Sequence, residues 1–219
     1  MSRRYDEAER RLGLSPRDAW GRRNENPPDV SFWQLIREDL RTHDGNPFEQ
    51  GFWAVAVHRF GNWRMDLPKI LRAPCTLIYA VLEKMVQVFG GITLPYVVRL
   101  GRRVRIWHHS GIIVVARSIG NDVHIRQNVT MGVAKTWTTD CPIIEDGVHV
   151  GAGAAILGRV VIGREASIGA NSVVLDDVDE HATVVGVPAR ALPGRVRTPT
   201  ASDGVAETEA NRVVDANLK

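Results

Sequence analysis

The chain has 219 residues, of which 44% are apolar, and a formal net charge of +3 from 28 basic and 25 acidic residues. This length allows one large or two small domains, and no Lys/Arg run is dense enough to predict a nucleic-acid groove. Two cysteines are too few for a disulfide framework and fit a reducing compartment. Residues 1–26 lack the apolar core of a signal peptide, and the longest apolar run, 73–82, is too short to span a bilayer. We therefore expect a cytoplasmic protein with no transmembrane segment.

The first ninety residues predict an arm followed by helices. Residues 1–30 are charged and Pro-containing, typical of a flexible arm with one short helix near 5–12. Residues 31–90 predict a helical domain, with helices at about 31–42, 48–65 and 68–88, the last bearing a wide apolar stripe. Gly90-Gly91 ends it. We expect His58 and Arg59 to serve packing of this domain or contacts between copies.

Beyond Gly91 the chain is organised by a six-residue repeat, with one added residue before Ile119 and an insertion at 133–142. The repeated aliphatic residues, here called step residues, are Leu100, Ile106, Ile112, Ile119, Ile125, Met131, Ile144, Val150, Ile156, Ile162, Ile168 and Val174. One unit cannot bury its own aliphatic residue, so units must stack, and residues 91–195 predict a mainly β fold, a parallel β-helix. We expect the Gly that often follows the step residue to occupy a strained corner, and the other side chains to face outward. Residues 196–219 are polar and predict a disordered tail.

The sequence Trp107-His108-His109-Ser110-Gly111 is the first candidate for chemistry. His108 comes two places after the step residue Ile106, so it should face outward. An imidazole, with an unperturbed pKa of about 6.5, can take a proton from a hydroxyl near neutral pH. Spacing alone leaves a surface histidine pair open. A shared metal is not expected, because adjacent strand residues point to opposite faces.

Three segments resemble the serine O-acetyltransferases of the left-handed parallel β-helix, hexapeptide-repeat acyltransferase superfamily. They are the helical stretch 51–63, the coil 106–115, and the C-terminal coils 151–158, 168–174 and 186–190. The resemblance implies a left-handed β-helix after an N-terminal helical domain. It implies acetyl-CoA as co-substrate without a metal. It also implies a homotrimer, or a dimer of trimers, with active sites between adjacent copies.

The resemblance also assigns roles to individual residues. The family's catalytic base falls on His108, and its pantetheine-binding amides fall on Ala152 and Ala170. Gly132 and Lys135 match positions beside the thioester, and Arg190 matches the phosphate end of the cofactor.

At the acceptor side this chain departs from the family. The acid before the catalytic His is here Trp107, and the acid of the preceding coil is Thr93. The family's Asp-Arg-His-Pro run reads Thr139-Asp140-Cys141-Pro142. The substrate-binding candidates are Thr93, Trp107, His109 and Cys141, with Trp107 expected to form an apolar wall for the acceptor.

The predicted reaction is acetyl transfer from acetyl-CoA to the hydroxyl of serine or a serine-like small molecule, a step of cysteine biosynthesis. Two alternatives stay open. A sugar or polysaccharide hydroxyl is one, because 52–61 and 94–103 resemble serine-acetyltransferase-like proteins of polysaccharide synthesis. A catalytically impaired binding homologue is the other, because the family's acids and its Arg-His pair are missing.

Overall fold

The computed structural model describes residues 3–14, 20–135 and 140–196. The predicted tail beyond 196 and the tip of the predicted 133–142 loop, at 136–139, lie outside the described residues. Among those described, no helix is both long and apolar enough to cross a membrane.

Short strands wind into a coil with three parallel sheets. The first sheet contains β1 (Ile92–Thr93), β4 (Ile112–Val114), β7 (Thr130–Gly132), β10 (Ala155–Leu157) and β13 (Val173–Val174). The second contains β2 (Arg99–Leu100), β5 (Ser118–Ile119), β8 (Ile143–Ile144) and β11 (Val161–Ile162). The third contains β3 (Arg105–Ile106), β6 (His124–Ile125), β9 (His149–Val150), β12 (Ser167–Ile168), β14 (Ala182–Val185) and β15 (Arg190–Val196). Only the pairing of β14 with β15 is antiparallel among these strands, and the predicted parallel β-helix is confirmed.

The core of the coil contains two side chains from each six-residue unit. Every step residue is buried, at no more than 3% exposure. The expectation that all other side chains face outward is wrong for the residue two places before the step, which is also buried, as at Val104, Val123, Val148 and Ala166. The six-residue unit therefore fills a triangular interior with one large and one smaller side chain.

The glycines after the step residues are needed for a different reason from the one expected. Their φ angles are not left-handed, but a Cβ on Gly151 would lie 2.6 Å from the amide nitrogen of Ala170 in the next coil. A Cβ on Gly163 would lie 2.6 Å from the amide nitrogen of Glu180. The left-handed corner lies two residues later and is occupied by residues such as Asn128 and Asn171. Close stacking of coils, rather than corner strain, selects glycine here.

Helices precede the coil within a few residues of the predicted limits. They are α1 (Arg3–Arg11), α2 (Phe32–Thr42), α3 (Gln50–Trp63) and α4 (Lys69–Met85). A 3₁₀ turn (Arg64–Asp66) follows α3, and one turn of π-helix (Val86–Gly90) extends α4 to the first strand. Ser31 caps α2 through a reciprocal capping box with Gln34. The division of the chain into four parts stays a prediction.

Helix α1 packs against the coil, in contrast to the flexible arm expected for residues 1–30. Tyr5 is fully buried, and its hydroxyl donates a 2.6 Å hydrogen bond to the carbonyl of Cys141. Arg4 pairs with Asp179 at 2.7 Å, and Arg117 pairs with Glu9 at 3.0 Å. The charged residues that suggested a free arm instead make ion pairs with the outside of the coil.

Helix α3 closes the open end of the β-helix. The first coil has no coil above it, so its backbone carbonyls need other donors. His58 Nε2–H donates to the Val98 carbonyl at 2.8 Å, and Asn62 Nδ2 donates to the Tyr96 carbonyl at 2.8 Å. Arg59 donates to the carbonyls of Leu100 and Gly101, at 2.8 and 2.5 Å. The packing role expected for His58 and Arg59 is therefore observed.

Arg59 is itself neutralised inside the protein. Its Nε lies 3.0 Å from a carboxylate oxygen of Asp39 on α2, and both side chains are fully buried. A buried guanidinium is tolerated only when it is paired and its donors are satisfied. This ion pair therefore joins α2, α3 and the end of β2 in one buried network.

Burial lowers the pKa of His58 to about 3, and the Arg59 cation beside it adds to that effect. Below about pH 6.5 the unfolded chain binds a proton at this histidine and the folded chain does not. Stability should therefore fall as the pH decreases from about 6.5 towards 3. His43 is also buried, and burial likewise lowers its pKa.

We predict that His58→Gln reduces this pH dependence, because glutamine can still donate to the Val98 carbonyl but does not titrate. The measurement is the free energy of unfolding in urea between pH 7.5 and 5, at fixed protein concentration. The slope of the unfolding free energy against pH should be smaller in the variant, by at most about 1.4 kcal/mol per pH unit, the value for one proton. Identical slopes for the two proteins would contradict the neutral, buried state of His58.

Candidate active site

One edge of the coil, between the third and first sheets, carries the predicted catalytic residue His108 and two of the predicted cofactor-binding residues, Ala152 and Ala170. Strand register aligns Ile106 with Ile125, Ile125 with Val150, and Val150 with Ile168. The residues two places after Ile125, Val150 and Ile168 therefore stack along this edge, which we call the site corner; they are Gln127, Ala152 and Ala170. The first coil has two extra residues here, because Val114 rather than Ile112 aligns with Met131. The Asn128 amide donates to the Ser110 carbonyl at 3.1 Å, so Ser110 lies above Gln127 and His108 lies on the insertion beside the top of the column.

The site corner presents backbone amides that have no partner within the described ranges. The flanking amides of Gly151 and Gly153 donate to the carbonyls of Ile168 and Gln127, at 2.8 and 2.9 Å. The described chain shows no such bond for the amides of Ala152 and Ala170. Spaced, unpaired amides of this kind can hold an extended chain containing its own amides, as a sheet edge holds a peptide.

His108 lies exposed beside the top of this column, in a strained, inserted turn. Its φ is +63°, and Ser110 follows with φ +88°. The Ser110 amide donates to the Gly90 carbonyl at 3.0 Å, which ties the turn to the end of the helices. A Cβ on Gly91 would lie 2.9 Å from the Ser110 Cα, so only glycine allows this contact.

Nothing in the described structure orients the His108 imidazole directly. No ion pair or hydrogen bond joins its ring to a carboxylate, a hydroxyl or a carbonyl within the residues covered. This agrees with the sequence, where Trp107 and Thr93 replace the two acids. His109 is likewise exposed.

Trp107 is half-buried against the third sheet, one residue before His108. Its indole lies over the Arg105 guanidinium, 3.6 Å from ring centre to guanidinium carbon, and its Nε1–H donates to His124 Nδ1 at 2.9 Å. Below it, a cavity of about 220 Å³ runs along the outer face past His149 to Ser167, with Arg126 and Gly151 in its lining. Trp107 thus forms one wall of a recess beside the site corner.

The other predicted substrate- and cofactor-binding residues lie elsewhere on the chain. Thr93 is on β1 and Gly132 at the end of β7, both in the first sheet, and Lys135 is exposed on the segment that follows. Arg190 is exposed at the far end of the coil, where it approaches Asp176 at 3.4 Å. Thr139 lies outside the described residues.

Cys141 does not face solvent as expected for a residue that contacts substrate. It is 1% exposed, and its carbonyl accepts the Tyr5 hydroxyl. The packing of α1 over this part of the coil is the reason, and we leave Cys141 out of the proposed site.

Two residues at this edge were not predicted from the sequence. Gln127 lies between Ser110 and Ala152 in the site corner, and its side-chain oxygen is buried with no hydrogen-bond partner in the described structure. His124 receives the Trp107 hydrogen bond. The available signal was the repeat itself, because counting two places past Ile125 leads to Gln127 in the same way that it leads from Val150 to Ala152. Metal-binding clusters of His, Cys, Asp and Glu are absent from the part of the chain described.

Known proteins resemble the chain in both sequence and fold. The family "Bacterial transferase hexapeptide (six repeats)" matches residues 141–176. A serine acetyltransferase of Escherichia coli is 38% identical over 145 residues, covering 65% of this chain. The matched region spans only 51% of that relative, so the chain covers about half the length of the E. coli protein. A serine acetyltransferase of Bacillus licheniformis is 39% identical over 168 residues, covering 74% of this chain and 78% of the relative.

Solved structures of serine acetyltransferases are also similar to this chain. The soybean serine acetyltransferase complexed with serine superposes with a TM-score of 0.62 at 33% identity, covering 75% of this chain and 70% of that chain. The Neisseria gonorrhoeae serine acetyltransferase superposes with a TM-score of 0.62 at 31% identity, covering 80% and 70%. The predicted left-handed β-helix with N-terminal helices is thereby confirmed. On this evidence the chain belongs to the serine acetyltransferase family.

Proposed function

We propose that this protein transfers the acetyl group of acetyl-CoA to the hydroxyl of serine or a serine-like small molecule. The observation that carries the proposal is the site corner, where an exposed histidine lies beside the top of a column that presents unpaired amides. The soybean relative, whose structure was determined in complex with serine, supports serine as the acceptor.

Ala152 and Ala170 suit the pantetheine arm of acetyl-CoA. That arm is extended and contains amide carbonyls, and these two residues offer N–H groups on successive coils, about 5 Å apart. Arg190, exposed at the far end of the coil, is placed for the negatively charged phosphates of the cofactor. The thioester would then reach the first coils, near His108.

His108 is the proposed general base. It takes the proton of the acceptor hydroxyl while that oxygen attacks the thioester carbonyl. The carbon–sulfur bond then breaks, and the CoA thiolate receives the proton. Holding acceptor and thioester together beside the base supplies much of the rate enhancement, and no metal takes part in these steps.

The protein is proposed to act as a homotrimer or as a dimer of trimers. Thr93 and Gly132 lie in the first sheet, whereas Trp107 and His109 follow a strand of the third sheet, and a site between adjacent copies would combine the two groups. Helix α4 also carries an exposed apolar surface, the α4 face, made of Ile70, Leu71, Leu77, Ile78, Val81, Met85 and Val88. Side chains of this number and size can supply the roughly 800 Å² that each partner of a stable interface buries. We assign the α4 face to a second copy of this chain and keep the cytoplasmic location as a prediction.

We predict that His108→Ala lowers kcat by about 10²- to 10⁴-fold with little change in the KM for acetyl-CoA, the loss typical of a general base. The assay follows release of the CoA thiol with L-serine, L-homoserine and a panel of sugars. His181→Ala, at a histidine that pairs with Glu165 away from the site, is the control and should retain activity. Undiminished turnover by His108→Ala would rule out its role as base.

The acceptor panel also separates the two alternatives. Release with a sugar but with neither amino acid would reassign the protein to sugar or polysaccharide acetylation. Binding of acetyl-CoA without release for any acceptor would favour an impaired binding homologue, for which the missing acids are the supporting observation.

We further predict that Leu77→Glu combined with Val81→Glu reduces the assembly size, because two carboxylates would be buried in the α4 face. Light scattering after size-exclusion chromatography gives the mass of the particle. Thr76→Glu, which adds a charge to α4 outside this face, is the control and should leave the mass unchanged. Equal masses for all three proteins would refute the assignment of the α4 face to a second copy.

A further inference from the structure

A column of stacked side chains runs down the outer face of the third sheet, beside the site corner. Register aligns Arg105 with His124 and His124 with His149. The imidazoles of His124 and His149 lie parallel, with centroids 4.6 Å apart and planes 6° apart. Trp107, two residues beyond Arg105, leans into this column rather than pointing away from it.

Trp107 is held from two sides. The guanidinium of Arg105 lies against one face of the indole, and Arg105 is anchored by an ion pair with Asp44, one of whose bonds measures 2.9 Å. The indole N–H donates to Nδ1 of His124. The bond requires the Nδ1 of His124 to act as acceptor, which is the role of the ring nitrogen that carries no proton. The cation–π contact and the hydrogen bond together fix the orientation of the indole ring.

This locked indole is covalently next to His108. A left-handed φ at a non-glycine residue costs about 1 kcal/mol or more and persists only where its surroundings fix it. On the far side of the turn, Ser110 is fixed by its hydrogen bond to Gly90. On the near side, the Trp107 amide donates to the Ile125 carbonyl at 2.8 Å, and its side chain is fixed by His124. The position of His108 therefore depends on both ends of the turn.

We propose that Trp107 and His124 form a positioning pair, which holds the turn so that the His108 imidazole faces the acceptor. The pair acts through the backbone of the turn, whereas the family orients this histidine with carboxylates. Neither residue of the pair is proposed to exchange a proton with substrate. The inference rests on the proposed function, because it concerns the geometry of the proposed base.

The hydrogen bond can be removed from either end while the ring stacking is kept. Trp107→Phe keeps a ring over Arg105 and loses the donor; His124→Phe keeps a ring on His149 and loses the acceptor. Each should lower kcat about three- to tenfold, the rate equivalent of one net hydrogen bond, with the KM for acetyl-CoA nearly unchanged. The double variant should be no slower than the slower single variant, because both remove the same interaction.

His124→Gln is the rescue variant, since its amide oxygen can accept the indole N–H, and it should recover most of the lost kcat. His181→Phe makes the same change at a histidine that pairs with Glu165 at 3.2 Å, away from the column, and should leave kcat unchanged. Thermal unfolding is followed for every variant. The positioning role would be overturned by additive losses of kcat in the double variant or by failure of His124→Gln to restore kcat. It would also be overturned if kcat fell only together with the unfolding temperature and with a change in KM.

A direct spectroscopic readout needs no acceptor. With ¹⁵N-labelled tryptophan, the indole N–H signal absent from Trp107→Phe identifies Trp107, and His124→Phe should shift that signal while His181→Phe should not. An unshifted signal would overturn the hydrogen bond on which the proposal depends. If the wild-type protein transfers no acetyl group at all, the proposed function fails together with the positioning role. If it is active and the variants match it, only the positioning role fails.

Discussion

The open end of the β-helix is the constraint on which the rest of the structure depends. Within the stack, each coil receives hydrogen bonds from its neighbours, but no coil lies above the first one to donate to its carbonyls. The donors of α3, from His58, Arg59 and Asn62, supply what is missing, and Asp39 neutralises the one charge among them. The helices and the coil are therefore a single hydrogen-bonded unit, and the coil that carries His108 is fixed in place.

The regular stack then places the chemistry. Because the lower coils turn the same corner, residues at equivalent positions lie above one another, and Gln127, Ala152 and Ala170 form one column. The same stacking leaves unpaired amides along this edge, so the track for an extended cofactor follows from the repeated geometry. His108 stands beside the top of that column on a two-residue insertion, which the Ser110–Gly90 hydrogen bond ties to the end of the helices.

The repeat predicted the coil, its core step residues and the exposed position of His108, because a six-residue period is a local property of the sequence. It did not predict the packing of α1, since Tyr5 and Ala8 are its only buried residues and the rest of that helix is charged. Burial of Cys141 was missed for the same reason. Trp107 and His124 are 17 residues apart, and only the register that aligns Arg105 with His124 brings them together. Interactions between coils depend on register, which spacing along one coil does not reveal.

The central claim is that this edge of the coil moves an acetyl group from a thioester to a hydroxyl. Mass spectrometry of the products formed from acetyl-CoA and L-serine tests it most directly. The expected product is serine carrying one acetyl group on its oxygen, in an amount equal to the CoA released. Release of CoA together with free acetate, and with serine unmodified, would show that the protein hydrolyses acetyl-CoA and does not transfer the acetyl group.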